Sequence, residues 1–137
     1  MILVDTSIII DALKNGCSNP KSKLLKKIIE EKTSFAISIY TFHEVLQGAK
    51  DEHEFDVLKE YLSSLNICYL PNKLSVYEKS AKVYYDLRRK GKTVRSIIDV
   101  LITQTAIQYD LFLLHNDRDF DIIAENSPEL KILDASL

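Results

Sequence analysis

A chain of 137 residues, of which 46% are hydrophobic, has the length of one domain and enough apolar content to bury a core. The net charge of −2 excludes a broadly cationic surface, so contact with nucleic acid would need local basic clusters or bridging metal ions. Met1 leads into an apolar strand without a basic leader, and no apolar run approaches the ~18 residues of a membrane span. We therefore expect a cytoplasmic protein.

The first predicted strand, Met1 to Val4, ends at a carboxylate, Asp5. Thr6 and Ser7 follow it, and either hydroxyl can cap the helix predicted over Ile8 to Leu13. Open parallel sheets bind their ligands in the crevice outside the carboxyl ends of the strands. The position of Asp5 therefore indicates a functional acid.

Short apolar strands and amphipathic helices alternate along the rest of the chain. A strand over Phe35 to Ser38 leads into a helix from Tyr40 to Gln47, where Glu44 lies beside the apolar stripe that faces the sheet. The other predicted strands are Asn66 to Leu70, Leu111 to Leu114 and Leu130 to Leu133; the other helices are Leu24 to Ile29, Asp51 to Ser64, Leu74 to Lys90, Ile97 to Ile107 and Asp119 to Ala124. This alternation predicts one α/β domain with a parallel sheet of about five strands flanked by helices.

An acid is embedded in the most apolar predicted helix. That helix follows Ser96 as its expected cap, and it is apolar nearly all round except at Asp99 near its start. A carboxylate in such surroundings is costly unless it finds a partner, takes up a proton or binds a cation. The alternative is a first-turn acid that the helix dipole favours. We favour the functional interpretation.

The strand from Leu111 to Leu114 also leads to acids, Asp117, Asp119 and Asp121. Asp117 is nearest to the strand end, and Asp119 falls about where a helix would be capped, so Asp117 is the expected member of a site.

A basic cluster follows the long helix. Its residues suit the negative carboxyl end of that helix, and they also form a rim that attracts phosphate; the two interpretations are compatible. The cluster comprises Arg88, Arg89, Lys90, Lys92 and Arg95.

Four acids can meet at one edge of this sheet. Asp5 and Asp117 end strands, while Glu44 and Asp99 lie on helices that begin from the same side. At ~4 Å and an effective dielectric of about 20, each like-charged pair costs about 4 kcal/mol, so the cluster requires protons or divalent cations. Hard oxygen ligands without thiolates favour Mg²⁺ or Mn²⁺ over zinc, which points to phosphoryl or phosphodiester chemistry.

The remaining ligand types argue against a zinc site. Cys17 and Cys68 lack the C-x-x-C spacing and are expected to be free thiols. We interpret the histidines His43, His53 and His115 as surface or helix residues.

Four motifs occur in the order of a known family, and they are V-D-T-S, S-I-Y-T-F-H-E-V-L-Q-G, S-I-I-D-V-L-I-T-Q-T-A and L-L-H-N-D-R-D-F. With these motifs in register over residues 1–137, the chain resembles a PIN domain, specifically the VapC-type toxin ribonucleases of type II toxin–antitoxin pairs. The resemblance implies a Mg²⁺-dependent endoribonuclease that hydrolyses RNA phosphodiester bonds, with Mn²⁺ as a substitute, and that dimerises and is neutralised by an antitoxin.

The resemblance also implies roles for individual residues. The catalytic quartet is Asp5, Glu44, Asp99 and Asp117, of which Asp5, Asp99 and Asp117 hold the metal. The auxiliary residues are Asp119 together with Ser7 or Thr6, whose hydroxyl steadies Asp5. From the basic cluster, and not from the resemblance, we expect Arg88, Arg89, Lys92 and Arg95 to bind RNA. One departure is His115, which stands where relatives usually carry a small hydroxyl residue.

Rival classes fit less well. A phosphotransfer receiver domain needs paired acids at its first strand, and a haloacid-type phosphatase needs D-x-D where this chain has Ser7. A PIN-like module that binds RNA or protein without cleavage remains the alternative, and the complete quartet weighs against it.

Aromatic and apolar residues on two helices exceed what one small core needs, which predicts a homodimer and a neighbouring groove for an apolar antitoxin helix. These residues are Tyr61, Leu62 and Leu65 on one helix and Tyr77, Tyr84 and Tyr85 on another.

Overall fold

A computed structural model describes residues 1–134, in which five strands and seven helices alternate. The strands are β1 (Ile2–Val4), β2 (Phe35–Ser38), β3 (Asn66–Cys68), β4 (Phe112–Leu114) and β5 (Lys131–Ile132). The helices are α1 (Thr6–Lys14), α2 (Pro20–Glu30), α3 (Ile39–Gln47), α4 (Glu52–Ser63), α5 (Leu74–Arg89), α6 (Ile97–Gln108) and α7 (Arg118–Glu125).

The strands form one parallel sheet in the order β3-β2-β1-β4-β5. The central strand β1 pairs with both β2 and β4, and its residue Ile2 is opposite Phe35 on one side and Phe112 on the other. A parallel sheet needs cover on both faces, since crossover helices connect its strands. The predicted α/β architecture with about five parallel strands is confirmed.

Two apolar layers cover the two faces of the sheet. Leu3 packs with buried residues of α5, α6 and α7, while its neighbour Val4 packs on the opposite face with residues of α1, α2, α3 and α4. Both side chains are fully buried, and a buried aliphatic side chain of this size contributes about 1.5–3 kcal/mol. Helix α6 lies in the first layer and buries six of its twelve residues, three of them polar, while the apolar Ile97 at its start is exposed.

Acids at two strand ends also start the following helices. The side chain of Asp5 caps α1 by accepting the Ser7 N–H, so the predicted capping by Thr6 or Ser7 is wrong. Asp117 caps α7 by accepting the Asp119 N–H, so capping near Asp119 is wrong as well. Asp5 is the single residue between β1 and α1, whereas Asp117 is preceded by two further residues after β4, so the first turn from strand to helix is the tighter one.

Strand β3 is shorter than predicted, since it ends at Cys68 and not at Leu70. Its pairing partner β2 ends at Ser38, whose hydroxyl caps α3, so no strand is left for Tyr69 and Leu70 to pair with. The two cysteines are free thiols, as expected. None of the helices formed by residues 1–134 is both long enough and apolar enough to span a bilayer.

Two expectations about single side chains are wrong. His115 is only 1% exposed, because its ring packs in the core against Phe120 with centroids 5.0 Å apart. Leu62 is on the buried side of α4 and is fully buried, so it offers no surface to a second subunit. Tyr77 and Tyr85 on α5 are exposed, as an interface would require.

Candidate active site

Four helices begin at the carboxyl edge of the sheet. Their caps are Asp5 for α1, Ser38 for α3, Ser96 for α6 and Asp117 for α7. The amino end of a helix carries a partial positive charge, so this edge favours anions. The fold therefore brings Asp5, Asp99 and Asp117 to helix amino ends, where their negative charge is best tolerated, while Glu44 lies further along α3.

Three carboxylates make the tightest group of possible metal ligands. Asp99, Asp117 and Asp119 each offer one oxygen, and these atoms lie within 4.8 Å of one another. We expected Asp5 in this role and Asp119 only as an auxiliary acid. Asp5 still acts on the group, because its charge is the largest electrostatic cause of the raised pKa of Asp99.

Asp5 is buried and held by its neighbour. Its Oδ2 accepts the Ser7 backbone N–H at 3.1 Å and the Ser7 hydroxyl at 2.7 Å. Burial is the main cause that raises the pKa of Asp5 to about 6, against the lowering effect of these bonds. The Ser7 Oγ also accepts the Asn116 N–H at 3.2 Å. Ser7 therefore links the ends of β1 and β4, which carry Asp5 and Asp117.

The other hydroxyl of this pair serves a different acid. Thr6 Oγ1 lies 2.7 Å from Glu44 Oε1, to which it donates, and 3.0 Å from the Thr41 hydroxyl. This contact fixes Glu44, on α3, to the start of α1. Of the two hydroxyls expected to steady Asp5, Ser7 does so and Thr6 holds Glu44.

Asp99 is the least satisfied acid of the group. Within residues 1–134 no hydrogen bond reaches either of its carboxylate oxygens. Burial, followed by the charges of Asp5 and Asp117, raises the pKa of Asp99 to about 7. A carboxylate in this position gains more than its neighbours from a cation.

An arginine connects Asp117, the cap of α7, with Asp119 in the first turn of that helix. Arg95 Nη2 donates to Asp117 Oδ1 at 3.1 Å, and the Arg95 Nε and backbone N–H donate to Asp119 Oδ2 at 3.2 and 3.1 Å. In the described chain no hydrogen bond reaches Asp117 Oδ2 or Asp119 Oδ1. Each acid therefore has one oxygen held by the protein and one oxygen open to a ligand.

A hard divalent cation fits this donor set. The group offers carboxylate oxygens, no thiolate and no imidazole, and the open oxygens belong to acids whose charges repel one another. Mg²⁺ and Mn²⁺ prefer such oxygen ligands and keep several waters when only a few carboxylates bind them.

Comparison with the sequences of known families identifies the family of this chain. The sequence model of the family described as "PIN domain" matches residues 2–126. The chain belongs to the PIN domain family. One relative is "VapC ribonuclease Mb1587" from Mycobacterium bovis, which is 32% identical over 124 residues, covering 90% of this chain and 92% of that protein.

Solved structures share this PIN domain fold. A DNA-bound VapBC from Salmonella typhimurium has a TM-score of 0.74 at 23% identity, with 98% of this chain and 99% of that chain covered. A toxin–antitoxin complex from Klebsiella pneumoniae has a TM-score of 0.69 at 23% identity, with 98% of each chain covered. At these identities the likeness concerns the fold alone.

The predicted RNA-binding residues of the PIN domain separate into two groups. Arg88 and Arg89 lie exposed at the end of α5. The side chain of Lys92 forms an ion pair with Glu125 of α7, whereas that of Arg95 forms ion pairs with Asp117 and Asp119. The contact of Arg95 with the acids was not foreseen, because a sequence does not show which way a loop side chain turns.

The buried ring of His115 holds the backbone of Asp117 through a hydrogen bond. Its Nδ1 accepts the Asp117 backbone N–H at 3.2 Å, and burial lowers the pKa of the imidazole. A serine or threonine hydroxyl commonly accepts the N–H two residues later, which is the bond that a small hydroxyl residue here would make. The histidine thus supplies the same acceptor through a ring nitrogen. The signal for this role in the sequence is its place two residues before Asp117.

Proposed function

We propose that this PIN domain is a divalent-metal-dependent endoribonuclease that hydrolyses RNA phosphodiester bonds, and that it is a toxin neutralised by a cognate antitoxin. The observation that carries the proposal is the group formed by Asp99, Asp117 and Asp119, each of which offers one carboxylate oxygen within 4.8 Å of the others. The ribonuclease named among its relatives supports the choice of RNA as substrate.

Asp99 and Asp117, with Asp5 and the open oxygen of Asp119, would hold Mg²⁺, or Mn²⁺ in its place. When bound, the cation lowers the pKa of a water molecule and stabilises the negative charge that develops at phosphorus. The carboxylates act as ligands and not as acid–base catalysts. Ser7 keeps Asp5 and the end of β4 in a fixed relation, so these ligands need little rearrangement.

RNA would approach along the end of α5. Arg88 and Arg89 are exposed there, and the guanidinium of Arg89 lies 6.0 Å from the ring centre of Tyr85. Cations beside an exposed aromatic ring suit a single strand, because they attract phosphate while the ring can stack on a base.

An apolar groove of about 630 Å³ would accept the antitoxin. It is lined mainly by α3, with Phe55 of α4 and Ile98 of α6, and it includes the acid Glu44. We propose that an apolar helix of the antitoxin occupies this groove and that one of its basic side chains reaches the acids. The homodimer would use α5 and the start of α6, where Leu74, Tyr77 and Ile97 are exposed.

The activity is tested by incubating purified protein with RNA in Mg²⁺ buffer and in excess EDTA. We expect cleavage with Mg²⁺ only, and none with Asp99→Asn. Asp86→Asn is the matched control, because Asp86 pairs with Lys82 on the surface of α5 and its removal changes the net charge equally. Full activity in EDTA, or in Asp99→Asn, would refute the mechanism and favour another site.

Assembly is tested by light scattering and by expression. A dimer should have twice the chain mass of 15.7 kDa, whereas a monomer at micromolar concentration would refute the dimer. Expression alone should slow growth, and co-expression with a neighbouring small gene should restore growth and yield a complex. If neither occurs, the toxin assignment fails even where cleavage is observed.

A further inference from the structure

Arg95 is the one residue of the basic cluster whose side chain contacts the acids, among residues 1–134. Its guanidinium bridges two of the three carboxylates that form the tightest ligand group, Asp117 and Asp119. A planar guanidinium presents several donors in a fixed fork, so it can satisfy two carboxylates at once, which a single ammonium cannot do equally well.

The backbone of Arg95 is fixed, whereas its exposed side chain is held only by the two acids. The Arg95 N–H donates to Asp119 Oδ2, the preceding Val94 is buried, and the following Ser96 caps α6. The side chain beyond is 74% exposed, and its only described contacts are those with the two acids. The guanidinium can therefore leave the carboxylates without a loss of packing.

We propose that Arg95 is an internal counter-ion that competes with the divalent cation for the negative charge of Asp117 and Asp119. The inference rests on the proposed metal-dependent function. With the guanidinium on the two acids, their mutual repulsion is reduced and a divalent cation is attracted less strongly. With the cation bound, the guanidinium swings outward, where it can bind a phosphate of the RNA through two parallel hydrogen bonds.

A competing role and a purely organising role of Arg95 predict opposite changes in metal affinity when Arg95 is removed. If Arg95 only oriented the carboxylates, its loss would weaken metal binding. If it competes, its loss strengthens metal binding and lowers the stability of the protein without metal, because the repelling acids lose their counter-ion.

The experiment measures Mn²⁺ binding by calorimetry on EDTA-treated full-length protein, in the wild type and in Arg95→Gln. We expect Arg95→Gln to bind Mn²⁺ roughly three- to tenfold more tightly, which is the scale of one or two partly exposed ion pairs. Arg95→Lys retains the charge and should stay closer to the wild type. Arg118→Gln is the matched control, because Arg118 follows Asp117 directly and makes no described ion pair or hydrogen bond.

Melting temperatures provide a second readout that also reports folding. Without metal, Arg95→Gln should melt below the wild type, and saturating Mn²⁺ should raise its melting temperature by more. Equal or weaker Mn²⁺ binding in Arg95→Gln, or equal tightening in Arg118→Gln, would overturn the inference while leaving the nuclease proposal in place. Absence of Mn²⁺ binding in all four proteins would overturn both.

Discussion

Replacing Asp99 by asparagine removes the carboxylate whose charge is least compensated by the surrounding protein. The two side chains have nearly the same shape, so Asp99→Asn changes charge with little change in packing. The pKa of Asp99 is raised from its ordinary 3.8 to about 7 by burial and by neighbouring acids. The folded protein therefore binds this proton more tightly than the unfolded chain does.

The direction and size of the effect follow from this difference. Stability is lost as the pH rises from about 4 to about 7, and the full penalty is present above pH 7. About 1.4 kcal/mol for each tenfold change in proton affinity gives an upper bound of about 4 kcal/mol. Asp99 is only partly buried, so solvent screening reduces the penalty to about 1–2 kcal/mol. Asp99→Asn should recover this free energy at pH 8 and almost none at pH 4.

Thermal unfolding in EDTA, followed by circular dichroism, measures this gain. At pH 8 the variant should melt roughly 3–8 °C above the wild type, and at pH 4 the two proteins should melt together. Added Mg²⁺ should then raise the melting temperature of the wild type more than that of the variant. Equal melting at pH 8 would show that Asp99 carries no electrostatic penalty and would refute the reasoning from its burial.

Substitutions at three further positions test the supporting contacts. Asp117→Asn retains an oxygen that caps α7, so RNA cleavage should be lost with near wild-type unfolding in denaturant, whereas Asp117→Ala should also lose about 1 kcal/mol. His115→Ala removes the acceptor of the Asp117 N–H and should weaken Mn²⁺ binding in calorimetry, while His115→Asn, whose amide oxygen can accept that bond, should retain it; equal loss in both would contradict the role of His115. Thr6→Val removes the hydroxyl held 2.7 Å from Glu44 and should lower kcat for cleavage about tenfold with little change in KM, and an unchanged kcat would exclude this support.

The strand-end acids were predictable because two signals coincide at them. Asp5 follows a short apolar run directly, Asp117 follows one after two polar residues, and a helix comes after each, so the sequence shows where the sheet edge lies and that acids occupy it. Asp99 was predictable for another reason, because a carboxylate in an apolar helix is costly unless it finds a partner, a proton or a cation. The alternation of strands and helices likewise predicts the parallel sheet, and the structure confirms it.

The contacts between these residues were not predictable from spacing. Asp5 and Asp117 are obvious as acids, but their role as helix caps decides which of their oxygens is held. Arg95 lies in a loop, where the direction of a side chain depends on contacts far apart in sequence. His115 follows an apolar strand by one residue, and only the packing of Phe120 against it shows that its ring is buried.

The positions of the acids explain how the fold tolerates them. Asp5 and Asp117 are helix caps, and Asp99 and Asp119 lie in first turns, so all four are within a turn of a helix amino end. Each such end is equivalent to about half a positive elementary charge, which offsets part of the repulsion without any side-chain cation. Burial still raises the pKa of Asp5 to about 6, and burial together with the charges of Asp5 and Asp117 raises the pKa of Asp99 to about 7.

The negative charge of the acids that the protein itself does not compensate favours the binding of a cation. Helix ends offset part of the charge of these acids, and the guanidinium of Arg95 compensates two of them, Asp117 and Asp119. The negative charge that stays uncompensated is mainly that of Asp99, whose carboxylate accepts no hydrogen bond from the described residues. A divalent ion and a basic side chain of an antitoxin would compensate the same negative charge. We therefore expect that the binding of either one weakens the binding of the other.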